Sequence, residues 1–163
     1  MHSAERLSKI TTSMAAVVDL VVHTKMWRRA LCRDFYIISV KLWVAPPERK
    51  AELRALLLEL YKVAITYDLI SLDFDEEYAF DDGFEPTTLI DVQIAHRDAA
   101  TLLRAVRIAD RAMLRCLKAQ LAGKITAGAR ERLQGDVVAA YEALKRRALF
   151  PDVVSKKRDA QPA

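Results

Sequence analysis

Two long runs of helical periodicity, joined by a glycine and preceded by an alternating segment, constrain the fold of this chain most strongly. Thr87–Ala95 alternates between two faces, which predicts a strand with one buried face. Apolar side chains recur every three or four positions from about residue 99 to residue 122, and again from about residue 127 to residue 148. This periodicity predicts two helices. Gly123 lies between them, and glycine commonly ends a helix in the left-handed conformation. The stretch Thr87–Phe150 therefore predicts a strand–helix–helix unit.

The first of these helices carries a basic stripe opposite its apolar side. Its cations fall within roughly an 80° sector of the helix. They are Arg104, Arg107, Arg111, Arg115 and Lys118. The predicted buried side chains opposite them are Leu102, Val106, Ala109, Met113 and Leu117. Such a line of cations is typical of a surface for polyanions, and any solvent-exposed helix face can show it as well. Both interpretations stay open at this point.

The turn after this helix combines cations with the start of another helix. We expect Asp98 to cap the first helix, Thr126 to cap the second and Pro151 to stop it. The first amides of a helix are unpaired, and they bind phosphate together with Lys and Arg side chains. The candidate phosphate ligands of this turn are Lys124, Thr126, Gly128 and Arg130.

The N-terminal half predicts helices around one ambiguous segment. Residues 4–24 have the periodicity of an amphipathic helix. Met26–Val44 fits a helix, but Phe35–Val44 is dense in β-branched and aromatic residues, which favours a strand there; whether the segment is strand or helix stays open. Pro47 begins a helix that runs to about Asp68. The predicted buried side chains of this helix are Leu53, Leu57, Leu60, Ala64 and Tyr67.

An acidic loop is predicted over residues 71–86, with a short strand at Ser71–Phe74 or Tyr78–Phe80. The carboxylates of this loop do not have the spacing of a calcium site, because Tyr78 stands where the sharp turn needs glycine. We expect no metal there. The segment Asp73–Glu85 is instead a candidate surface for another protein.

Charge separates along the chain. Residues 1–45 carry a net charge of +4, residues 46–86 carry −7 and residues 87–163 carry +7. Basic ends around an acidic centre suit a protein that binds nucleic acid on one face and another partner elsewhere.

Common catalytic and export signals are missing from the sequence. It has no phosphate-binding glycine loop, nucleophile elbow or zinc-protease motif, and His2, His23 and His96 are scattered. We therefore expect a protein that is not an enzyme and that needs no cofactor or metal. Cys32 and Cys116 make no disulfide framework, and no segment has the pattern of a membrane span or export signal. These features predict a cytoplasmic protein without a membrane partner.

The expected fold class is α+β and predominantly α-helical, with a helical N-terminal half and a C-terminal strand–helix–helix unit. The length predicts a single domain over residues 1–150. Within it, residues 1–86 form the helical part with the acidic loop, and residues 87–150 form the strand–helix–helix unit. Residues 151–163 are expected to be a disordered tail.

Short motifs of this unit resemble a protein family encoded by integrating conjugative elements and conjugative plasmids. They comprise the run Ile94-Ala95-His96-Arg97-Asp98-Ala99-Ala100-Thr101-Leu102-Leu103, then Asp110, Leu114, Ala119, Gly123-Lys124-Ile125 and Arg147-Ala148-Leu149-Phe150. The family includes relatives of AcaB-type transcriptional activators. The resemblance implies a mobile-element protein that binds DNA through a ribbon–helix–helix-like module, in which one strand from each of two protomers lies in a groove.

The sequence supports two hypotheses of function. The first is a dimeric DNA-binding transcriptional regulator of a conjugative or integrative element, with double-stranded DNA as its partner. Thr87 and Gln93 then face the bases, although Asp91 lies on the same side of the strand. The phosphates meet the stripe Arg104–Lys118 and the turn Lys124–Arg130. The alternative is a helical protein–protein interaction protein, an accessory of a conjugative transfer system that does not bind DNA.

Overall fold

Helices dominate the computed structural model, which describes residues 16–74 and 88–150. In chain order the elements are β1 (Ala16–Val22), α1 (Lys25–Arg29), a π-helical turn (Ala30–Asp34), α2 (Phe35–Val44), α3 (Pro47–Leu72), β2 (Thr88–Ile94), α4 (Arg97–Leu121) and α5 (Ala127–Leu149). The predominantly helical class with a small β component is confirmed. α3 packs along both α4 and α5, and α2 also packs against both of these helices.

β1 and β2 form a two-stranded antiparallel sheet within one chain, in which Ala16 is opposite Ile94 and Val22 is opposite Thr88. The side chains of Leu20, Val22 and Val92 are buried beneath it. The strand predicted from the alternation of polarity is confirmed, and it pairs with a strand of its own chain.

The helix predicted over residues 4–24 is wrong over residues 16–22, which form β1. Residues 4–15 lie outside the described residues. β1 has the sequence Ala-Val-Val-Asp-Leu-Val-Val, and its valines favour an extended chain. The strand that pairs with it lies far along the sequence, so helical periodicity within this segment could not reveal the pairing.

α2 is helical, so the strand favoured over the same residues is wrong. The apolar residues of α2 have helical spacing, which places Phe35, Ile38 and Leu42 together on its buried side. Trp27 in α1 is buried as well. Packing of these side chains into the core outweighs the intrinsic β preference of the segment.

α3 begins with Pro47, as predicted, and its expected face of five side chains is buried. The helix runs to Leu72 and so passes the predicted end at Asp68. The short strand considered at Ser71–Phe74 is wrong, since α3 occupies its first half. The alternative position at Tyr78–Phe80 lies outside the described residues.

The turn between α4 and α5 is confirmed. Gly123 has a φ of 73°, the left-handed conformation that ends a helix and that side chains with a Cβ rarely adopt. Thr126 caps α5, because its hydroxyl oxygen accepts the Ala129 N–H at 3.1 Å.

The cap predicted at Asp98 is wrong, because His96 holds the position before α4. The Nδ1 atom of His96 accepts the Ala99 N–H at 3.2 Å, and its Nε2–H donates to the Ser39 carbonyl oxygen at 2.8 Å. Burial lowers the pKa of His96, so the ring is neutral with its proton on Nε2. Asp98 lies in the first turn of α4 and forms an ion pair with Arg54 at 2.8 Å.

Small side chains let neighbouring helices approach α4 closely, which places α4 at the centre of the core. The buried alanines of this helix are Ala99, Ala105, Ala109, Ala112 and Ala119. In the ranges 16–74 and 88–150, no helix combines the length and the apolar character needed to cross a bilayer.

Candidate nucleic-acid interface

The buried carboxylate of Asp110 fixes the junction between β1 and α1 to the middle of α4. It accepts the backbone N–H of His23 at 2.8 Å and that of Thr24 at 2.8 Å. It also accepts the Thr24 hydroxyl at 2.7 Å. Thr24 is the residue before α1, so the contact satisfies amides that the start of this helix would otherwise leave unpaired. The first residues of α1 are therefore held beside α4.

Both helices that this contact joins carry exposed cations. Arg111 follows Asp110 directly, and Arg107 lies one turn before it on α4. We call the exposed set the basic junction; its members are Lys25, Arg28, Arg29, Arg104, Arg107 and Arg111. Within the described ranges none of these side chains forms an ion pair. The two helices therefore expose six cations that form no ion pair with a described residue, although Lys25 and Arg29 line a cavity shared with Asp34 and Glu142.

A small cavity of about 110 Å³ lies within the basic junction. Lys25 and Arg28 line it together with Thr24 and Thr88. The Arg28 guanidinium also donates to the Thr88 hydroxyl at 3.3 Å, which holds the arginine over the cavity. Two cations around a concave site of this size suit a single phosphate group.

The predicted basic stripe of α4 divides into two parts. Arg104, Arg107 and Arg111 are exposed and belong to the basic junction, whereas Arg115 and Lys118 are half-buried. The Arg115 guanidinium donates to the Asp68 carboxylate at 2.5 Å and to the Ser71 hydroxyl at 3.1 Å, which joins α4 to the end of α3. Arg115 therefore contributes to packing, and Lys118 already takes part in another interaction.

The predicted phosphate ligands of the turn lie away from the basic junction. The part of α4 between Asp110 and Leu121 is about 16 Å long, and the turn follows it. Lys124, Thr126 and Gly128 are exposed there, but the Thr126 hydroxyl already pairs with one of the first amides of α5. Lys124 takes part in an interaction of its own.

Arg130, the fourth ligand predicted in the turn, is half-buried against the core. Burial raises the pKa of Tyr67 and of Cys116, and the nearby charge of Arg130 opposes both shifts. This guanidinium therefore lies close to the contact between α3 and α4, where part of its charge acts inside the protein.

The outer face of the β1–β2 sheet has a composition unlike that of a DNA-reading ribbon. Val17, Val21 and Leu89 are exposed there, by 47–67%. Asp19 and Asp91 are cross-strand partners in the middle of this face, and the Asp19 carboxyl raises the pKa of Asp91. The predicted base reader Gln93 lies on the same face, opposite Val17, and Thr87 lies outside the described residues.

The edge of β2 is occupied by a side chain of α2. The Tyr36 hydroxyl accepts the Gln93 N–H at 3.3 Å and donates to the Asp91 carbonyl oxygen at 3.4 Å. Both backbone groups would otherwise be available to a strand from a second protomer. Tyr36 therefore occupies the position that strand pairing across a dimer would need at this edge.

The C-terminal motif of the family resemblance has a structural role here. Arg147 forms an ion pair with Glu52 of α3, with its Nε atom 2.7 Å from the Glu52 carboxylate. In return, the Arg49 guanidinium donates to the carbonyl oxygens of Arg147 and Ala148 at the end of α5. These contacts join the ends of α3 and α5. The acidic loop proposed as a protein contact lies outside the described residues beyond Phe74.

The α1 half of the basic junction was not predicted from the sequence. The signal was present, since Arg28 and Arg29 are adjacent and Lys25 lies one helical turn before Arg29. It was obscured because the segment after Met26 was expected to be partly a strand. The clamp made by Asp110 was also missed, since it joins residues far apart in the sequence.

No family model matches this chain, and no curated protein matches it. Among solved structures, the chain is similar to AcaB from uropathogenic E. coli, with a TM-score of 0.63 and 16% sequence identity. The match covers 83% of this chain and 78% of AcaB. The two proteins share a fold.

Proposed function

We propose that this protein is a DNA-binding transcriptional regulator of a conjugative or integrative mobile element, and that it contacts DNA phosphates through the basic junction. The observation that carries the proposal is the set of six exposed cations on α1 and α4, the two helices that the Asp110 clamp joins. The function is binding without catalysis and without a cofactor. The context of transcription and mobile elements rests on the family resemblance and on the fold shared with AcaB.

Phosphate contacts by Lys and Arg release counterions from DNA, so binding weakens steeply as salt rises. The basic junction suits this mode because its cations are exposed and form no ion pair among the described residues. The main DNA contact then lies away from the strand, since the outer sheet face places two carboxylates where base edges would lie.

Fluorescence anisotropy of the full chain with a labelled mixed-sequence duplex tests this proposal at salt concentrations from about 50 to about 200 mM. The double variant Arg107→Ala plus Arg111→Ala should bind more weakly and lower the salt slope by about 2. Its control is Arg132→Ala plus Arg146→Ala, which removes the same charge from two exposed positions of α5. Absence of binding at the lowest salt, or equal weakening by both double variants, would overturn the proposal.

The second candidate is a protein–protein interaction role, and the outer sheet face favours it. Exposed Val17, Val21 and Leu89 surround the Asp19–Asp91 pair, which suits a partner with a cation among apolar side chains. In cells that carry the element, Val17→Ser plus Leu89→Ser should then abolish co-purification of a partner. The DNA affinity of this variant should stay unchanged. The double variant Arg107→Ala plus Arg111→Ala should still co-purify with the partner.

A further inference from the structure

α3 exposes a second apolar stripe on the side opposite its buried face. Its members are Leu58, Ile65, Leu69 and Leu72, which are 55%, 38%, 61% and 45% exposed. At 100° per residue they fall on one side of the helix, about 125° from the buried leucines. Apolar side chains that lie together on an exposed face mark a candidate interaction surface. The stripe is therefore a candidate contact surface for a partner.

We propose that a second copy of this chain packs antiparallel along this stripe, with Ile65 of both copies at the two-fold axis. Leu58, Ile65 and Leu72 are seven residues apart, the spacing of a seam between two packed helices. Because Leu58 and Leu72 are equally far from Ile65, an antiparallel pair places Leu58 of each copy opposite Leu72 of the other. The stripe is thus complementary to itself, as an isologous interface requires.

A cavity beside the stripe fits this arrangement. It has a volume of about 290 Å³ and lies between α3 and the start of α4. It is lined by Leu57, Leu58, Arg97, Thr101 and the Arg54–Asp98 ion pair. This is room for a leucine side chain. In the antiparallel pair, Leu72 of the second copy comes to this position.

The charges beside the stripe favour the antiparallel direction. Lys62 is exposed next to the first half of the stripe, and Asp73 is exposed just after its end. An antiparallel copy brings the acidic end of one α3 toward Lys62 of the other, whereas a parallel copy places like charges together.

This interface is independent of the basic junction, which is formed by α1 and α4. It also replaces strand pairing as the means of dimerisation, because Tyr36 occupies the β2 edge and β2 already pairs with β1. Failure of the DNA-binding proposal would leave the dimer proposal standing, and the reverse also holds.

Disulfide cross-linking of the full chain tests the geometry. The exposed Cys32 is first replaced in the variant Cys32→Ser, while the buried Cys116 is kept. Adding Ile65→Cys should then yield a covalent dimer on oxidation, because the two positions face each other at the axis. Leu58→Cys alone should not cross-link, but an equimolar mixture of the Leu58→Cys and Leu72→Cys chains should. Cross-linking of Leu58→Cys alone, or none at Ile65→Cys, would overturn the antiparallel arrangement.

Light scattering of the unmodified chain and of two single variants gives a second measurement. Leu69→Asp should convert a dimer into a folded monomer with unchanged helix content. Leu89→Asp, which places the same charge on the exposed sheet face, should leave the dimer intact. If the unmodified chain is a monomer, the proposal is overturned, and the result would indicate that another part of the same chain covers the stripe. Dissociation by Leu89→Asp alone would assign the dimer to the sheet instead.

Discussion

At the scale of single residues, Asp110 determines whether the two halves of the basic junction stay together. An asparagine in its place keeps one oxygen but presents an amide N–H₂ to backbone donors, so at least one buried N–H loses its partner. We expect Asp110→Asn to lower the free energy of unfolding by about 1–3 kcal/mol. Urea denaturation measures this change, with Asp136→Asn, an exposed aspartate of α5, as the matched control. Equal stability of the two variants would show that the clamp contributes little.

His96 makes stability depend on pH through its role at the start of α4. Burial lowers its pKa below the ordinary value of 6.5, so the folded protein binds this proton less readily than the unfolded chain does. The free energy of unfolding should therefore be highest above about pH 6.5 and fall as the pH decreases toward the folded pKa. His96→Asn keeps a capping acceptor but does not titrate, so it should flatten this part of the profile. Thermal melts of both chains across the range measure the difference, and superimposable profiles would contradict the assignment.

At the scale of elements, the sheet carries an unfavourable pair that a single substitution can relieve. Asp19 and Asp91 face each other across the strands, and this proximity raises the pKa of Asp91. Because the folded pKa is the higher one, the repulsion is present at neutral pH and disappears as Asp91 takes up a proton in acid. Asp91→Asn should therefore raise the melting temperature at neutral pH, whereas Asp91→Glu should not. A lower melting temperature for Asp91→Asn would mean that the carboxylate has a stabilising partner.

The elements that local sequence signals define were predictable, and those that distant contacts define were not. Pro47 and the helical periodicity that follows it were sufficient to predict α3. Gly123 and Thr126 were sufficient to predict the turn between α4 and α5. β1 and α2 were assigned wrongly, because a distant strand and the packing of Phe35 decide their conformation. The candidate site divides in the same way. The exposed arginines of α4 followed from spacing, but their union with α1 depends on a tertiary contact that no local pattern encodes.

At the scale of the whole molecule, dimerisation through α3 would give each assembly two copies of the basic junction. Once one basic junction of a dimer has bound DNA, binding by the second junction is effectively intramolecular. The affinity of the dimer therefore exceeds that of a single basic junction. Leu69→Asp leaves every cation of the basic junction in place but should separate the copies. We therefore expect this variant to bind DNA at least about tenfold more weakly than the unmodified chain at the same salt. Leu89→Asp carries the same added charge on the sheet and serves as the control. A monomeric Leu69→Asp chain with undiminished DNA affinity would show that a single junction suffices and that the dimer has another purpose.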